Sequence, residues 1–318
     1  MIEKTWSWRQ KRWFFAFFAG LTIAGCLDRR SEEGANNSPS VGGIAVSATE
    51  DDWFLVEERI KAAYDQELDK LSMGNLVAKM GTTFLGTPYV PQTLDPAGEE
   101  RLVVELQGLD CVTFVETVLA LAGTVQALDV ENYRRMSKEE VRKAYSEKLV
   151  SIRYRSGHME GYASRLHYFS EWIWDNSELG LVDKLFDGPP AIAETEQINF
   201  MTTHSAAYWQ LRDNPALIAE IQKTEVDLSA KSRFYVREQD IDDIEPDLLD
   251  GDLVAATSSV EGLDVAHTGI AIWKEGRVHL LHAPLVGGVV QLSELPLAER
   301  ILEIKGQDGV MIARPLAR

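Results

Sequence analysis

An α+β fold, with helices first and an antiparallel sheet last, is predicted by two features of the 318-residue sequence. Apolar residues recur at helical spacing through the first half, and short apolar runs separated by Gly or Asp turns follow in the last third. Segregated helices and strands are typical of α+β domains. The chain is 45% apolar and 26% charged, which is the composition of a globular protein that can bury a sizeable core.

The first part of the folded region is predicted to begin with two helices. Asp52 is expected to cap the first helix, and the second runs through residues 76–80 and stops before Gly81. A turn is then predicted at residues 86–89, followed by a strand at 102–106.

A third helix is predicted to open at Asp110, with Cys111 in its first turn and Gly123 shortening it. The section from about 130 to 245 is mostly helical in pattern, so we expect a helical insertion there. In the last third, the short apolar runs predict successive strands of a small antiparallel sheet or barrel. These strands are Asp252–Thr257, His267–Lys274, Val278–His282, Val289–Leu292 and Val310–Arg314.

The N-terminal residues are typical of export. Residues 1–25 combine basic side chains with an apolar run that is short for a spanning helix, and they end at Ile23-Ala24-Gly25-Cys26. This ending is similar to the lipobox of bacterial lipoproteins, in which the cysteine receives a lipid. Residues 26–52 are then predicted to be the lipidated Cys26 and a flexible tether, and 53–318 the folded domain. The alternatives are an ordinary signal peptide or an uncleaved membrane anchor.

The residue after Cys26 bears on location. It is Leu27, not an acidic residue that would retain a lipoprotein in the inner membrane. We therefore expect an exported bacterial lipoprotein on the periplasmic side of a membrane, the outer membrane rather than the inner.

Charge and cysteine content narrow the functional classes. The net charge is −18, and outside residues 1–25 there are 28 basic (32 − 4) and 49 acidic (50 − 1) residues. Such a surface repels phosphates, so nucleic acid binding is not expected. The two cysteines are Cys26 and Cys111. If Cys26 carries a lipid, Cys111 has no disulfide partner and is a candidate reactive thiol.

A cysteine hydrolase needs a thiolate, a base and a group that orients the base. Cys111 lies where unpaired N–H groups and the helix dipole favour a thiolate, although the charge of Asp110 opposes it. Cys111 could equally be a small buried residue in line with its apolar neighbours. His267 and His282 belong to adjacent predicted strands, and strand alternation makes His282, not His279, the expected partner of His267.

Several segments, taken in order, resemble the NlpC-type cysteine peptidases, which have a papain-like fold and cleave bacterial cell-wall peptides. They are Gly86–Tyr89, Leu109–Val115, Gly251–Val254 and Asp264–Ile270. Three further segments resemble one branch of that superfamily, the N-acetylmuramoyl-L-alanine amidase-like group: Arg153–Arg155, Ser164–Phe169 and Leu281–Ala283.

The resemblance implies a role for each matching residue. Cys111 would be the nucleophile, His267 the general base and His282 its orienter, while the Tyr89 hydroxyl would assist the oxyanion. The further candidates for substrate binding are Asp110, Ser164 and Arg165, the last of them as a partner for a substrate carboxylate. Arg165 in an internal ion pair is the alternative.

The resemblance also implies a substrate, peptidoglycan or its muropeptide fragments, and no metal or cofactor. The expected reaction is hydrolysis of the N-acetylmuramoyl-L-alanine amide. The sequence departs from the common endopeptidases at Val112 and at Val90-Pro-Gln, which disfavours their substrate cleft. Three alternatives remain open: a D-glutamyl-diamino acid endopeptidase, a zinc site formed by Cys111, His267, His282 and a carboxylate, and an inactive wall-binding module.

Overall fold

The computed structural model describes residues 40–317. The predicted signal peptide of residues 1–25, the predicted lipid attachment at Cys26 and the predicted tether up to residue 39 therefore lie outside the described residues. Within the described part the chain is α+β, with helices packed on a mostly antiparallel sheet. None of the helices between residues 40 and 317 is both long and apolar enough to cross a membrane.

Helices and strands are numbered separately in chain order. The helices are α1 Glu50–Asp65, α2 Met73–Thr82, α3 Cys111–Ala127, α4 Val130–Tyr133, α5 Lys138–Arg153, α6 Phe169–Glu178, α7 Phe200–Thr203, α8 Pro215–Ser229, α9 Ile241–Ile244 and α10 Leu297–Glu303. The strands are β1 Ser40–Val41, β2 Ile44–Ser47, β3 Leu102–Val103, β4 Val182–Leu185, β5 Ile192–Glu194, β6 Arg233–Arg237, β7 Leu253–Ser258, β8 Val265–Lys274, β9 Arg277–His282, β10 Gln291–Pro296 and β11 Gln307–Pro315.

The main sheet has the order β10-β9-β8-β7-β11-β6-β5, and β4 also pairs with β11. All of these pairings are antiparallel. The strands predicted for the last third of the chain are confirmed, with ends that differ by a few residues. A second, small sheet has the order β1-β2-β3, in which β2 and β3 are parallel.

Each face of the main sheet has its own apolar core. One face, represented by Ile270 and Leu281, packs against α1, α2, α3, α5 and α6. The opposite face, represented by Ala271 and Leu280, packs against α9 and α10. Helix α3 lies in the centre of the first core and is buried along nearly its whole length, because most of its residues are apolar or small.

The N-terminal boundary of the domain differs from the expectation. Thr49, not Asp52, caps α1: the Asp52 N–H donates to Thr49 Oγ1 at 3.1 Å, and the Thr49 N–H donates to Asp52 Oδ2 at 3.0 Å. This reciprocal pair is a capping box, in which Asp52 is the third residue of the helix. The tether predicted over residues 26–52 is therefore wrong from residue 40 onward, since β1, β2 and the buried Val46 belong to the folded domain.

Two glycines lie inside helices that were expected to stop at or near them. A Cβ on Gly81 of α2 would lie 3.0 Å from Leu281 Cδ2, and a Cβ on Gly123 of α3 would lie 3.0 Å from Lys148 Cδ. Close packing by neighbouring elements explains these glycines better than helix termination does.

The section around residues 130–245, expected to be a mostly helical insertion, also contains β4, β5 and β6. These three short strands extend the main sheet beside β11. Their pairing partners are distant in sequence, and for this reason local pattern alone did not reveal them. The strand predicted at 102–106 shortens to β3 for the same reason, because only its first two residues pair with β2.

A buried ion pair fixes α3 to α5. Arg153 Nε donates to Glu116 Oε2 at 2.7 Å, and Arg153 Nη1 donates to the carbonyl oxygen of Val103 at 2.7 Å. The two charged side chains are 3% and 1% exposed, so neither charge is solvated on its own. Burial raises the pKa of the Glu116 carboxyl, and the Arg153 guanidinium opposes that rise.

Replacing Arg153 by Met should destabilise the fold, because Glu116 would be left buried without its partner. We expect the free energy of unfolding in urea to fall by about 3–5 kcal/mol. The control is Lys61→Met, which removes an exposed pair with Asp65 and should leave the unfolding midpoint nearly unchanged. Replacing both Arg153 and Glu116 by apolar residues should recover part of the loss, and a double variant no more stable than Arg153→Met would contradict this account.

Candidate active site

Cys111 is the first residue of α3, and Asp110 is the N-cap, as predicted. The Thr113 N–H donates to Asp110 Oδ1 at 2.8 Å, and the Asp110 N–H donates to Thr113 Oγ1 at 2.9 Å. The Asp110 carboxylate is engaged in this capping box, which fixes the backbone at the start of the helix. The half-buried Cys111 thiol is free.

The start of β8 lies against the start of α3. Thr268 Oγ1 donates to the carbonyl oxygen of Cys111 at 2.8 Å, and Thr268 directly follows His267. The described residues show no hydrogen bond between the Cys111 thiol and His267. In unliganded enzymes such bonds are commonly long, and they shorten when substrate binds.

His267 and His282 form the side-chain contact that strand alternation predicted. His267 Nε2 lies 2.7 Å from His282 Nδ1, with the two rings at 82° to each other. The register of β8 and β9, in which Ile270 faces Leu281, brings the two histidines together. His279 points elsewhere and contacts the carbonyl oxygen of Ser293.

The hydrogen-bond pattern limits the tautomers of this pair. Because His267 Nε2 is engaged by His282, its Nδ1 is the atom that remains for another partner. His267 can accept a proton on Nδ1 only if Nε2 carries the hydrogen and donates it to His282 Nδ1. His282 is then protonated on Nε2, which is buried and has no partner within the described residues. An unpaired buried donor costs about 1–3 kcal/mol, so this arrangement is maintained at a cost in stability.

Burial also determines the charge states of the site. Burial, together with the neighbouring Asp110 carboxylate, raises the pKa of the Cys111 thiol to about 11. Burial lowers the pKa of His282 to about 3 and that of His267 well below 6.5. The expectation that the helix start would favour a thiolate is therefore not met, because burial outweighs it. At neutral pH the thiol and both imidazoles are uncharged.

Tyr89 lies close to this site. Residue 89 forms a parallel bridge with Leu109, just before the cap of α3, and its N–H donates to the carbonyl oxygen of Gly288 at 2.7 Å. Burial raises the pKa of the Tyr89 hydroxyl, and the charges of Cys111 and Asp110 raise it further. Tyr89 is therefore a protonated hydrogen-bond donor beside the Cys111 segment.

Arg165 does not have the role expected of it, since it is held in the alternative arrangement, an internal ion pair. Its guanidinium is bound by Glu100 Oε2 at 2.8 Å and Asp95 Oδ1 at 3.1 Å, and it also donates to the carbonyl oxygen of Leu94 at 3.0 Å. Arg165 is 6% exposed, and these two carboxylates occupy the place that a substrate carboxylate would need.

Ser164 has a local role. Its hydroxyl donates to the carbonyl oxygen of Gly161 at 2.6 Å and accepts from the Glu160 N–H at 2.9 Å. It thereby closes a turn, and the structure provides no contact between this hydroxyl and the Cys111 segment.

Arg300 is a residue that the sequence analysis missed. It lies in α10 and is half-buried, and burial lowers its pKa to about 10. Its positive charge is close enough to lower the pKa of both His267 and His282. No sequence signal identifies it, because an arginine in an amphipathic helix is usually a solvated surface residue.

The described residues around the candidate site contain no cluster of metal ligands. Between residues 40 and 317 there is no group of three His, Cys, Asp or Glu side chains that could hold a metal ion. A cavity of about 550 Å³ lies elsewhere, near Trp174, Lys231 and Phe234, and none of the predicted catalytic residues lines it.

In the comparison with known proteins, a family model and a solved structure name the same kind of protein. The family model described as N-acetylmuramoyl-L-alanine amidase-like, or AmiA-like, matches residues 79–308. The crystal structure of an N-acetylmuramoyl-L-alanine amidase from Bacteroides uniformis is 32% identical, with a TM-score of 0.70, over 76% of this chain and 98% of that one. No curated protein matches the sequence.

Two other solved structures are similar. A Bacteroides fragilis protein named as a candidate xylanase is 33% identical, with a TM-score of 0.66, over 74% of this chain and 99% of that one. A Legionella pneumophila protein is 18% identical, with a TM-score of 0.58, over 85% of this chain and 97% of that one. At that identity the likeness concerns the fold alone.

The buried histidines should make stability depend on pH. In the unfolded chain a histidine takes up a proton below about pH 6.5, whereas His282 stays neutral in the folded protein down to about pH 3. Stability therefore falls as the pH drops through this window, by about 1.4 kcal/mol per pH unit for each such histidine. In His282→Gln, the decline between pH 6 and 4 should be less steep by about that amount.

Urea unfolding at a series of pH values measures this difference. His158→Gln, at an exposed position, is the matched control. Equal slopes for His282→Gln and the wild type would show that His282 is not held neutral in the folded state.

Proposed function

Because the chain belongs to the N-acetylmuramoyl-L-alanine amidase-like family, we propose that it hydrolyses the amide between the lactyl group of muramic acid and L-alanine, in peptidoglycan or its fragments. The observation that carries the mechanism is the 2.7 Å contact between His267 and His282, next to the strand residue that bonds the Cys111 carbonyl. A free thiol at a helix start beside a paired imidazole is the arrangement that cysteine hydrolases use.

In the first step, the Cys111 sulfur attacks the lactyl carbonyl carbon while the thiol proton passes to His267 Nδ1. Since the thiol and the imidazole are both neutral beforehand, proton transfer and attack occur together, and the tetrahedral intermediate is an oxyanion beside a protonated His267. The first-turn N–H groups of α3 and the Tyr89 hydroxyl donate to this oxyanion.

Collapse of the intermediate breaks the C–N bond. Protonated His267 gives its proton to the leaving amine, so the peptide departs with a neutral L-alanine amino group and the muramoyl lactyl group remains as a thioester on Cys111. Water then attacks the thioester carbonyl as His267 takes its proton. The C–S bond breaks and protonated His267 gives its proton to the sulfur, which restores the thiol. The lactyl group leaves as a carboxylic acid, which loses its proton to solvent.

His282 acts as the orienter in this mechanism. By accepting the Nε2 hydrogen of His267, it keeps the lone pair of Nδ1 available for the thiol proton. We further propose that the domain has the NlpC-type papain-like architecture. The α3 helix, with a cysteine at its start, and the antiparallel strands β8 and β9, with one histidine each, support that assignment.

Two other reactions are compared with these catalytic groups. A D-glutamyl-diamino acid endopeptidase would use the same thiol and imidazoles, and the cleft alone distinguishes it, so it is the second candidate. The xylanase name of one similar structure implies glycoside hydrolysis, which commonly uses a pair of carboxylates. The centre proposed here has a thiol and two imidazoles, and its nearby Asp110 is engaged as a helix cap.

For location, we propose that Cys26 carries a lipid and anchors the domain to the periplasmic side of a bacterial membrane, the outer membrane in a cell that has two. The support is the sequence Ile23-Ala24-Gly25-Cys26 at the end of an apolar run, followed by Leu27. Lipid anchoring would hold the domain close to its proposed substrate, the cell wall.

The bond cleaved can be tested with two substrates offered side by side, a muramyl-peptide and the same peptide without the sugar. We expect a new free L-alanyl terminus, identified by mass spectrometry, from the muramyl-peptide only. Cys111→Ala should reduce turnover by at least about 1,000-fold while keeping the fold, since alanine is well tolerated in a helix. Thr117→Ala, also in α3, is the matched control.

The other outcomes distinguish the alternatives. Efficient cutting of the sugar-free peptide after D-glutamate would replace the amidase proposal by the endopeptidase. Full activity of Cys111→Ala, or loss of activity to chelators but not to thiol alkylation, would rule out the cysteine mechanism.

The lipid anchor predicts a modified N-terminus. Full-length protein produced in a bacterium should fractionate with membranes, and mass spectrometry of its N-terminal peptide should find Cys26 as the first residue with a lipid attached. Cys26→Ser should remain unprocessed and unlipidated. A mature N-terminus at a different residue without lipid would refute the anchor.

A further inference from the structure

The proposed substrate carries a negative charge close to the bond that is cut. In peptidoglycan the residue after L-alanine is D-glutamate linked through its side-chain carboxyl, so its α-carboxylate is free. The net charge of −18 does not favour the binding of such a group, so its recognition requires a cation at short range. Arg165 was expected to be that cation, but Glu100 and Asp95 already neutralise it.

Arg300 lies on the side of the sheet to which both histidines belong. By strand alternation His267 shares a face with Ala271, and His282 shares the same face with Leu280. Ala271 and Leu280 pack against Leu297, Ala298 and Ile301 of α10, the helix that carries Arg300. Helix α10 therefore covers the sheet face from which both imidazoles project.

Strand register places Arg300 near the same end of the sheet. Arg300 Nη1 reaches Gln307 Oε1 at 3.4 Å, and Gln307 pairs with Ser258 at the end of β7. His267 is at the beginning of β8, opposite Ala256 of β7. Adjacent strands lie about 4.8 Å apart, so two strand spacings separate β11 from β8 at this end. The site thus lies between the Cys111 end of α3 and the Arg300 side of α10.

Arg300 also lacks the ionic partner that comparable arginines have. Arg153 pairs with Glu116, Arg165 with Glu100, and Arg277 with Glu245. Between residues 40 and 317, Arg300 has no carboxylate within ion-pair distance, and its single side-chain bond is the long one to Gln307. A guanidinium that is partly buried without a counter-charge is unfavourable on its own, so an anion that binds there would be favoured.

We propose that Arg300 binds the free α-carboxylate of D-glutamate in the stem peptide and so selects substrates that carry this charge. This inference rests on the proposed amidase function and names a specificity residue for it. The positive charge of Arg300 interacts electrostatically with Cys111, His267 and His282. This is consistent with a position beside the reacting groups. One carboxylate held there would align the peptide with its L-alanine amide toward Cys111.

The test compares two muramyl dipeptides that differ only at this group, one with the free acid (D-glutamate) and one with the amide (D-isoglutamine). The wild-type enzyme should prefer the acid by about 10- to 100-fold in kcat/KM, the range of a charged hydrogen bond. In Arg300→Gln this preference should nearly disappear, mainly through a higher KM for the acid, while kcat/KM for the amide changes little. Arg300→Lys keeps the charge and should keep part of the preference.

Arg237→Gln, which removes a surface arginine paired with Asp240, is the matched control and should behave as the wild type. An equal loss on both substrates in Arg300→Gln would overturn the proposal. It would show that Arg300 acts on the Cys111 thiol or on folding, not on the substrate carboxylate. If Arg300→Gln does not fold, the wild-type enzyme still decides, because no preference for the acid would also overturn it. A wild-type enzyme that cuts neither dipeptide, nor larger muramyl-peptides, would count against the amidase function itself.

Discussion

The start of α3 is held against the start of β8, and the geometry of the candidate site depends on this contact. Thr268 Oγ1 bonds the Cys111 carbonyl at 2.8 Å, so the strand that carries His267 is fixed to the helix that carries the thiol. The Asp110 cap sets the first turn of that helix, and the buried Arg153–Glu116 pair anchors its middle. A shift of α3 along its axis would break all three interactions together, and the rigid placement that catalysis needs follows from them.

Burial gives this site a second property, the absence of charge at rest. The thiol, His267 and His282 are all neutral at neutral pH because desolvation opposes each ionised form. A resting thiolate-imidazolium pair is not needed for the proposed chemistry, since His267 can take the proton during the attack. The unpaired Nε2 of His282 shows that the fold tolerates an unsatisfied polar atom in order to hold this imidazole in place.

The sequence could predict those parts of the site that depend on local rules. Asp110 three residues before Thr113 is a helix-start pattern, and the choice of His282 over His279 follows from strand alternation. It could not predict Arg165, because the carboxylates that neutralise it lie 65 and 70 residues away in the chain. The same limit explains β4, β5 and β6, whose partners are distant strands. The capping box of Thr49 and Asp52 is a local pattern, so the sequence does carry a signal for it.

Because the protein is strongly acidic, an arginine with no carboxylate partner among residues 40–317 bears on how an anionic substrate is recognised. Outside residues 1–25 the acidic residues exceed the basic ones by 21 (49 − 28), and a peptidoglycan stem peptide is itself anionic. At physiological ionic strength charges more than about 8 Å apart are largely screened, so the acidic surface weakens the approach of substrate only modestly. Recognition must then come from contacts inside the site, where screening is small. The arginines that hold the fold together are matched by carboxylates, as Arg153 and Arg165 show. Arg300 is half-buried beside the proposed catalytic groups and has no such match among residues 40–317, so a ligand explains it better than the fold does.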